Sequence, residues 1–364
     1  MRNKWIYIVG WMLCLVACGK DYTYRIEGKL SHLTEPTIYA VFENEQEKMV
    51  DTILCADNGT FELEEQVAGF HSVTLFFEGR SRWVTAYLEL GKTISIEGNA
   101  QTPLLLQVKG GKINDRLAAF KKKQADLFNE MSRLSQSLSE RANTVEQTDV
   151  TARLADVNLQ LSEAAMAYVK AHPDEEASVV LIQSFFSDPD DTRKIDELLA
   201  LLDPQLKDFY LVKELEQFSA RSKRIALEAE APDFTVKNLY GQSLSLDSFP
   251  DRYLLLAFIA PWCDMCQTED LSLDEVAMRY PKDKLSILLV SLDDQPKSVR
   301  EMIVKDSITW NVVTDSAGQA MQLIDLYNVS ALPRCFLIDE EKRIIMKTDN
   351  EVEIRQTLEK LIED

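Results

Sequence analysis

Residues 254–266 of the chain read LLLAFIAPWCDMC. The apolar residues at the start of this stretch predict a buried strand, and the two cysteines stand where the strand gives way to a helical pattern. The spacing of Cys263 and Cys266 allows one sulfur to attack a foreign disulfide while the other stays within reach to resolve the mixed disulfide. A helix N-terminus beside the first sulfur stabilises its thiolate and lowers its pKa. This stretch therefore predicts a redox-active cysteine pair.

Two close cysteines can also be half of a zinc site. Such a site needs a second cysteine pair or paired histidines. The histidines of the chain, His32, His71 and His172, all lie outside the C-terminal region that carries the cysteine pair. We therefore predict no metal site and no cofactor.

The region around the cysteine pair, residues 230–364, alternates strand-like apolar runs with amphipathic helical patterns. The predicted strands are 235–238, 254–259, 286–291, 335–338 and 343–347, with a short extended segment at 310–314. The predicted helices are 266–280, 297–305, 317–327 and 351–362. This alternation predicts an α/β domain whose sheet is covered on both faces.

Two further regions precede this α/β domain. Residues 18–112 contain short runs rich in β-branched and aromatic residues, with a turn signal at Asn58-Gly59, and predict an antiparallel β-sandwich. Its predicted strands are 23–29, 37–43, 61–64, 72–77, 84–90 and 93–97. Residues 113–229 repeat apolar side chains at helical spacing and predict a central helical linker domain. These helices are interpreted as a spacer that packs on its neighbours, with a partner-docking or dimer-forming arm as the alternative.

The N-terminal residues predict a targeting segment and not a part of the fold. Arg2 and Lys4 precede an uncharged, mostly apolar run that is too short to span a bilayer, so residues 1–17 are predicted to be a signal peptide. The run ends in the order Leu-Val-Ala-Cys, which resembles a bacterial lipobox. This resemblance implies lipid on Cys18 and a chain tethered to a membrane. An ordinary signal peptide cut nearby is the alternative.

Length and charge limit the class of protein further. A chain of 364 residues is too long for one small core and predicts two or three domains. The formal net charge of −20 argues against nucleic acid or an anionic lipid surface as an electrostatic partner. We therefore predict no nucleic-acid partner.

Three motifs of the α/β domain together resemble a known family. They are Ala231-Pro232-Asp233-Phe234 at its start, Pro261-Trp262-Cys263 with Cys266, and Leu332-Pro333 before a predicted strand. In these the domain resembles the TlpA/ResA-like thiol-disulfide oxidoreductases of the thioredoxin superfamily, which overlap in sequence with the AhpC/TSA peroxiredoxins. The preceding β-rich region resembles a domain of unknown function found in bacterial lipoproteins. The resemblance implies a thioredoxin fold for residues 230–364.

The resemblance also implies roles for individual residues. Cys263 is expected to be the exposed nucleophile and Cys266 the buried resolving thiol. Glu269 lies one helical turn beyond Cys266 and is expected to tune the thiols and accept a proton from Cys266. Pro333 is expected to follow a cis peptide bond and to face the disulfide, where its backbone neighbours can pair with an extended peptide.

Some positions depart from the family pattern or leave alternatives open. Asp264 disfavours a thiolate on Cys263 through like-charge repulsion, which favours a more reducing pair. Met265 stands where many relatives carry proline, and Ala257 stands where cytoplasmic thioredoxins carry a buried aspartate. The redox potential therefore does not follow from the resemblance.

The residues that flank the two motifs are active-site neighbours. Trp262 precedes the first cysteine, and Arg334 follows Pro333. Arg334 is interpreted as a group that stabilises the Cys263 thiolate or binds an acidic partner, with a solvated side chain as the alternative. Cys335 is interpreted as a buried strand cysteine, with a third redox thiol as the alternative.

The leading hypothesis is a lipid-anchored thiol-disulfide oxidoreductase outside the cytoplasm that reduces protein disulfides and is re-reduced by a membrane electron donor. It places the protein in the cell envelope, facing the periplasm or the cell surface. One alternative is an AhpC/TSA-type peroxidase that forms a sulfenic acid on Cys263. The other is a non-enzymatic lipoprotein that binds a partner. No oligomeric state is predicted.

Overall fold

The computed structural model describes residues 23–44, 47–66, 69–140, 146–249, 253–263, 266, 273–281, 283–293, 295, 297, 299, 311–315 and 318–362. The chain divides into two compact units, Met1–Leu181 and Ile182–Asp364. Among the described residues, none of the helices has the length and apolar character that a membrane span requires.

The first unit begins with eight strands in two sheets. The strands are β1 (Thr23–Ser31), β2 (Thr37–Glu43), β3 (Lys48–Leu54), β4 (Thr60–Gln66), β5 (Ser72–Phe77), β6 (Arg82–Tyr87), β7 (Thr93–Asn99) and β8 (Gln107–Lys109). One sheet has the order β4-β1-β7-β8 and the other the order β3-β2-β5-β6. Side chains from both sheets, including Ile26, Phe42, Leu75 and Ile96, form one hydrophobic cluster.

The structure corrects one part of the prediction for this region. The sheet was expected to be antiparallel, but β1 and β7 pair in parallel, with Ile26 opposite Ile94. An alternation of buried and exposed residues has the same period in parallel and antiparallel strands, so the pattern carries no information on strand direction. Strands β3 and β8 were not predicted. In β3 only Ile53 is fully buried, which leaves little hydrophobic alternation to detect.

Six helices follow in the described part of the chain. They are α1 (Lys112–Lys123), α2 (Ala125–Glu140), α3 (Glu146–Ala171), α4 (Glu176–Phe186), α5 (Arg193–Leu199) and α6 (Tyr210–Arg224). Helices α2 and α3 are joined by a two-point ion pair in which Arg153 contacts Glu130 at 2.7 and 2.9 Å. Helices α5 and α6 belong to the second unit, since that unit begins at Ile182.

The second unit contains a five-stranded sheet. From Val236 onward, the described strands and helices of this unit are β9 (Val236–Lys237), β10 (Ser243–Leu244), β11 (Tyr253–Ile259), α7 (Leu273–Arg279), β12 (Leu285–Ser291), β13 (Asn311–Thr314), α8 (Gln319–Leu326), β14 (Arg334–Ile338), β15 (Ile344–Thr348) and α9 (Glu351–Ile362). The sheet order is β13-β12-β11-β14-β15. Strands β11, β12 and β13 are parallel, whereas β14 runs antiparallel to β11 and β15.

Strand β11 lies at the centre of this sheet, and all its residues are buried. Leu255, Ala257 and Ile259 face one hydrophobic cluster. Leu254, Leu256 and Phe258 face a second cluster on the other side of the sheet. The prediction of an α/β sheet covered on both faces is therefore confirmed. The predicted helix 297–305 lies outside the described residues except for Lys297 and Val299.

Residues before 230 attach directly to the edge of this sheet. Backbone amides of Glu228 and Ile344 donate to the carbonyl groups of Ile344 and Ala229 at 2.8 and 2.9 Å. Ile225 packs in the second hydrophobic cluster, and the Asn328 side chain donates to Ser222 at 3.2 Å. The compact unit therefore includes part of the segment 113–229, and the division at 229/230 stays a prediction.

Tyr327 connects the first residues of the α/β domain to the hydrophobic core of that domain. Its side chain is fully buried between Phe258 and Phe336, and its hydroxyl donates to the Pro232 carbonyl at 2.8 Å. We expect Tyr327→Phe to keep the ring contacts but to lower the free energy of unfolding of this unit by about 1–2 kcal/mol, since the carbonyl loses its donor.

Urea unfolding followed by tryptophan fluorescence measures this change. Tyr240→Phe is the matched control, because that side chain is 62% exposed and should lose almost nothing. An equal effect of the two substitutions would contradict the proposed importance of the Tyr327 hydrogen bond.

Candidate active site

The two cysteines of the motif form a turn directly after β11. The amide of Cys263 donates to the Ala260 carbonyl at 3.1 Å, and the amide of Cys266 donates to the Cys263 carbonyl at 3.0 Å. The two sulfurs are joined in a disulfide, with 5.2 Å between the Cα atoms. Strand β11 and its two apolar faces thus anchor the start of the turn that carries the disulfide.

The environments of the two sulfurs differ. Cys266 is fully buried in the apolar cluster that also contains Ala257 and Ile259. Cys263 is half-buried at the edge of the same cluster. Trp262 next to it exposes 68% of its surface. An incoming disulfide can therefore approach Cys263, whereas Cys266 is reached only from inside the protein.

Several predicted residues lie outside the described part of the chain. They are Asp264, Met265, Glu269 and the lipidation residue Cys18. The predicted helix 266–280 is described from Leu273 to Arg279 as α7, and Cys266 itself has a 3₁₀-helical conformation. The stabilisation of a Cys263 thiolate by a helix N-terminus and the role of Glu269 therefore stay predictions.

Pro333 lies at the same end of the sheet as the cysteine turn. The Leu332–Pro333 peptide bond is cis, as predicted, and β14 begins with the next residue, Arg334. Arg334 is paired with Phe258, one residue before the end of β11. Leu332 packs against both hydrophobic clusters. The contact of Pro333 with a client stays a prediction.

Cys335 is buried in strand β14 opposite Ala257, in the same cluster as Cys266. Burial raises the pKa of its thiol to about 12; the Arg334 charge opposes this rise, and Asp349 adds to it. Because the thiolate is the reactive form, a thiol with such a pKa is a poor nucleophile at neutral pH. These properties favour a buried strand cysteine over a third redox thiol.

Arg334 is neither solvated nor unpaired. Its Nη2 atom contacts both carboxylate oxygens of Asp190, at 2.8 and 3.1 Å, and its side chain is 22% exposed. The alternative of a solvated side chain is therefore wrong, whereas stabilisation of the Cys263 thiolate or binding of an acidic partner stays a prediction. The physical reason is that the loop between α4 and α5 brings a carboxylate onto the end of the sheet.

Lys347 contacts the same carboxylate and was missed by the sequence analysis. Its Nζ atom lies 2.7 Å from Asp190 Oδ1, and only 4% of its side chain is exposed. Burial tends to raise the pKa of Asp190, but the hydrogen bonds from Lys347 and Arg334 outweigh burial and hold that pKa below its ordinary value. No local sequence pattern predicts a cluster of these three side chains, because Asp190 and Arg334 are 144 positions apart.

The candidate site therefore contains a disulfide at the end of the central strand and a cis-proline at the same end of the sheet. Among the described residues, no three side chains of His, Cys, Asp or Glu come together in a group that could hold a metal ion. An α/β sheet of this topology with a Cys-x-x-Cys disulfide after its central strand defines a thioredoxin-like redox protein.

Comparisons with known proteins specify the class. A model of the AhpC/TSA family matches residues 227–347, and a domain of unknown function, DUF4369, matches residues 24–117. Thiol-disulfide oxidoreductase ResA of Geobacillus kaustophilus is 30% identical over 147 residues, which cover 40% of this chain and 83% of that protein. ResA of Bacillus cereus is 27% identical over 146 residues, which cover 40% and 80%.

A solved thiol-disulfide oxidoreductase from Bacteroides fragilis is also similar. It is 30% identical, and the match covers 36% of this chain and 99% of that one with a TM-score of 0.33. On the match to the Geobacillus protein, the chain belongs to the ResA-like thiol-disulfide oxidoreductases, and its C-terminal domain has the thioredoxin-like fold. Its activity is that of a thiol-disulfide oxidoreductase.

The different environments of the cysteines predict different reactivities. When the reduced native protein is treated with iodoacetamide at neutral pH, we expect Cys263 to be alkylated first and Cys335 to react only after unfolding. Burial excludes the reagent from Cys335 and raises its pKa.

Mass spectrometry of peptides after timed quenching measures these rates. Cys55 is the control, since it is a free and partly exposed cysteine of the other unit. If Cys335 of the native protein is alkylated as fast as Cys263, the interpretation of Cys335 as a third redox thiol would be favoured.

Proposed function

We propose that this protein is a lipid-anchored, extracytoplasmic thiol-disulfide oxidoreductase that reduces disulfides of other proteins through Cys263 and Cys266. The observation that carries the proposal is the disulfide between a half-buried and a fully buried sulfur at the end of β11. In such a pair the accessible sulfur meets the client, and the buried sulfur completes the exchange within the protein.

The exchange has two steps. In the reduced protein the Cys263 thiolate attacks one sulfur of the client disulfide, forms a mixed disulfide and releases the other client sulfur as a thiolate. The Cys266 thiolate then attacks the Cys263 sulfur, and the second client thiolate leaves. Two electrons pass to the client, and the oxidised protein carries the Cys263–Cys266 disulfide.

Proton transfer accompanies the second step. Cys266 is buried in an apolar cluster, so its thiol needs a base before it can attack. We assign this role to the Glu269 carboxylate, which accepts the Cys266 proton and passes it to solvent or to the leaving client sulfur. The pair is then re-reduced by a membrane-bound electron donor.

The location follows from the N-terminal sequence and is part of the proposal. Residues 1–17 are removed as a signal peptide, Cys18 carries lipid, and the protein faces the periplasm or the cell surface. The proposal also takes the two N-terminal sheets as a β-sandwich and residues 113–229 as a helical linker domain. The shared hydrophobic cluster of the two sheets supports the sandwich.

A resolving-cysteine trap tests the exchange. Cys266→Ala should hold clients on Cys263 as stable mixed disulfides, because the sulfur that releases them is missing. We expect the reduced Cys266→Ala protein to form a mixed disulfide with denatured test proteins that keep one disulfide, seen on non-reducing gels and by mass spectrometry.

Two controls make the trap specific. Cys263→Ser should form no mixed disulfide, and Cys335→Ala should reduce insulin within about twofold of the unmodified rate, since its thiol is not reactive. Mixed disulfides that persist in Cys263→Ser would contradict the assignment of the nucleophile.

A peroxide assay separates this function from the peroxidase alternative. We expect insulin disulfide reduction to be faster than hydrogen peroxide consumption at equal enzyme concentration. The reverse order would favour a sulfenic acid on Cys263 as the working intermediate. Absence of both reactions would favour the partner-binding lipoprotein.

A further inference from the structure

Two cations at one end of the redox sheet hold a single carboxylate. Arg334 and Lys347 both contact Asp190, at 2.8 and 2.7 Å. Asp190 lies in the loop between α4 and α5, within the same compact unit as the sheet. Charge-assisted hydrogen bonds of this kind are stronger than neutral ones. The structure thus shows a carboxylate-binding arrangement that the chain fills with its own side chain.

The two cations lie on one face of the sheet, and Arg334 directly follows the cis-proline. Arg334 follows Pro333 and is paired with Phe258 of β11, whereas Lys347 is paired with Phe336 of β14. Because alternate residues of a strand share a face, Arg334 and Phe336 point to the same side, and Lys347 opposite Phe336 points there as well. Both cations therefore point to the face of the second hydrophobic cluster, which contains Phe258 and Phe336. Arg334 lies at the end of the sheet that carries the cysteine turn, and Lys347 lies two residues further from that end.

The arrangement has more positive than negative charge. Two cations share one carboxylate, in a chain whose formal net charge is −20. The other aspartates of the loop do not contribute: Asp191 pairs with Arg193 at 2.6 Å, and Asp188 accepts the Asp190 amide at 2.8 Å. Asp190 is the one loop carboxylate that the described contacts place on the two cations.

The exposures of the three side chains indicate how this contact can change. Lys347 is 4% exposed and Arg334 is 22% exposed, but Asp190 is 47% exposed. A buried cation without a partner is costly, so Asp190 leaves most easily when another anion takes its place. Asp190 is also the member of the cluster that solvent and an incoming chain reach most directly.

We propose that Arg334 and Lys347 form a carboxylate-binding subsite for client proteins, which Asp190 occupies when no client is bound. The subsite rests on the proposed reduction of protein disulfides. An aspartate or glutamate next to the client disulfide replaces Asp190 on the two cations while the client sulfur meets Cys263. A client without such a residue leaves Asp190 in place and lacks this contact.

A pair of symmetrical peptide disulfides tests the subsite. The probes are the disulfide-linked dimers of acetyl-Gly-X-Cys-X-Gly-amide with X as Glu or Gln, in which attack on either sulfur gives the same product. Their second-order rate constants with the reduced protein are measured by stopped-flow fluorescence, and each is divided by the rate of the same peptide with dithiothreitol. The readout is the normalised rate constant of the Glu peptide divided by that of the Gln peptide.

We expect Asp190→Asn to raise this ratio by about tenfold, which corresponds to the loss of one competing charge-assisted contact. The double substitution Asp190→Asn with Arg334→Gln should bring the ratio back towards that of the unmodified protein. Asp247→Asn is the matched control, since it also removes one carboxylate from an ion pair of this unit, with Lys342.

The possible outcomes distinguish failure of the subsite from failure of the proposed function. Equal ratios in Asp190→Asn and Asp247→Asn would show that only net charge acts and would overturn the subsite, while reaction of the Gln peptide would still support the proposed function. If Asp190→Asn does not fold, Arg334→Gln alone should lower the ratio, and an unchanged ratio overturns the subsite. Failure of both peptides with the unmodified protein would overturn the proposed function itself.

Discussion

Burial of strand β11 on both of its faces is the constraint on which the redox domain depends. Every residue from Tyr253 to Ile259 is buried, and alternate side chains enter two separate hydrophobic clusters. A shift of this strand by one residue would exchange the two sets of side chains, so its register is strongly specified. The position of the turn after Ala260 is specified with it. The cysteine pair therefore takes its place from the packing of the strand before it.

The same strand positions the second half of the site. Strand β14 pairs with β11 in an antiparallel register that places Arg334 beside Phe258 and Cys335 beside Ala257. Pro333 thereby lies at the end of the sheet where the cysteine turn begins. The apolar surroundings that hold these strands also bury Cys266 and raise the pKa of Cys335. Packing and thiol reactivity thus have one physical origin.

The segment between α4 and β9 is part of the redox unit. Ile225 packs in its core, residues 228 and 229 pair with β15, and Asp190 binds two cations of the sheet. A buried lysine such as Lys347 needs an anionic partner, and the sheet itself does not supply it in the described contacts. The loop that supplies this partner therefore affects both the stability of the sheet end and the charge that a client meets there.

Much of this protein was predictable from local patterns. The apolar run at 254–260 and the cysteines after it are predicted by a few adjacent residues, because strand burial and turn chemistry act locally. The cis-proline before β14 was expected from the family resemblance, and the structure confirms it. The helix Glu351–Ile362 and the strands Thr37–Glu43 and Ser72–Phe77 were predicted with their observed bounds for the same reason.

The tertiary structure alone decided the features that depend on distant partners. The parallel pairing of β1 with β7 could not be predicted, because a period of two residues is common to both strand directions. The ion cluster of Asp190, Arg334 and Lys347 could not be predicted either, because its members are far apart in sequence and each alone resembles an ordinary surface charge. The sequence by itself determined the redox motif and its strand; only the folded chain determined which charges stand beside them.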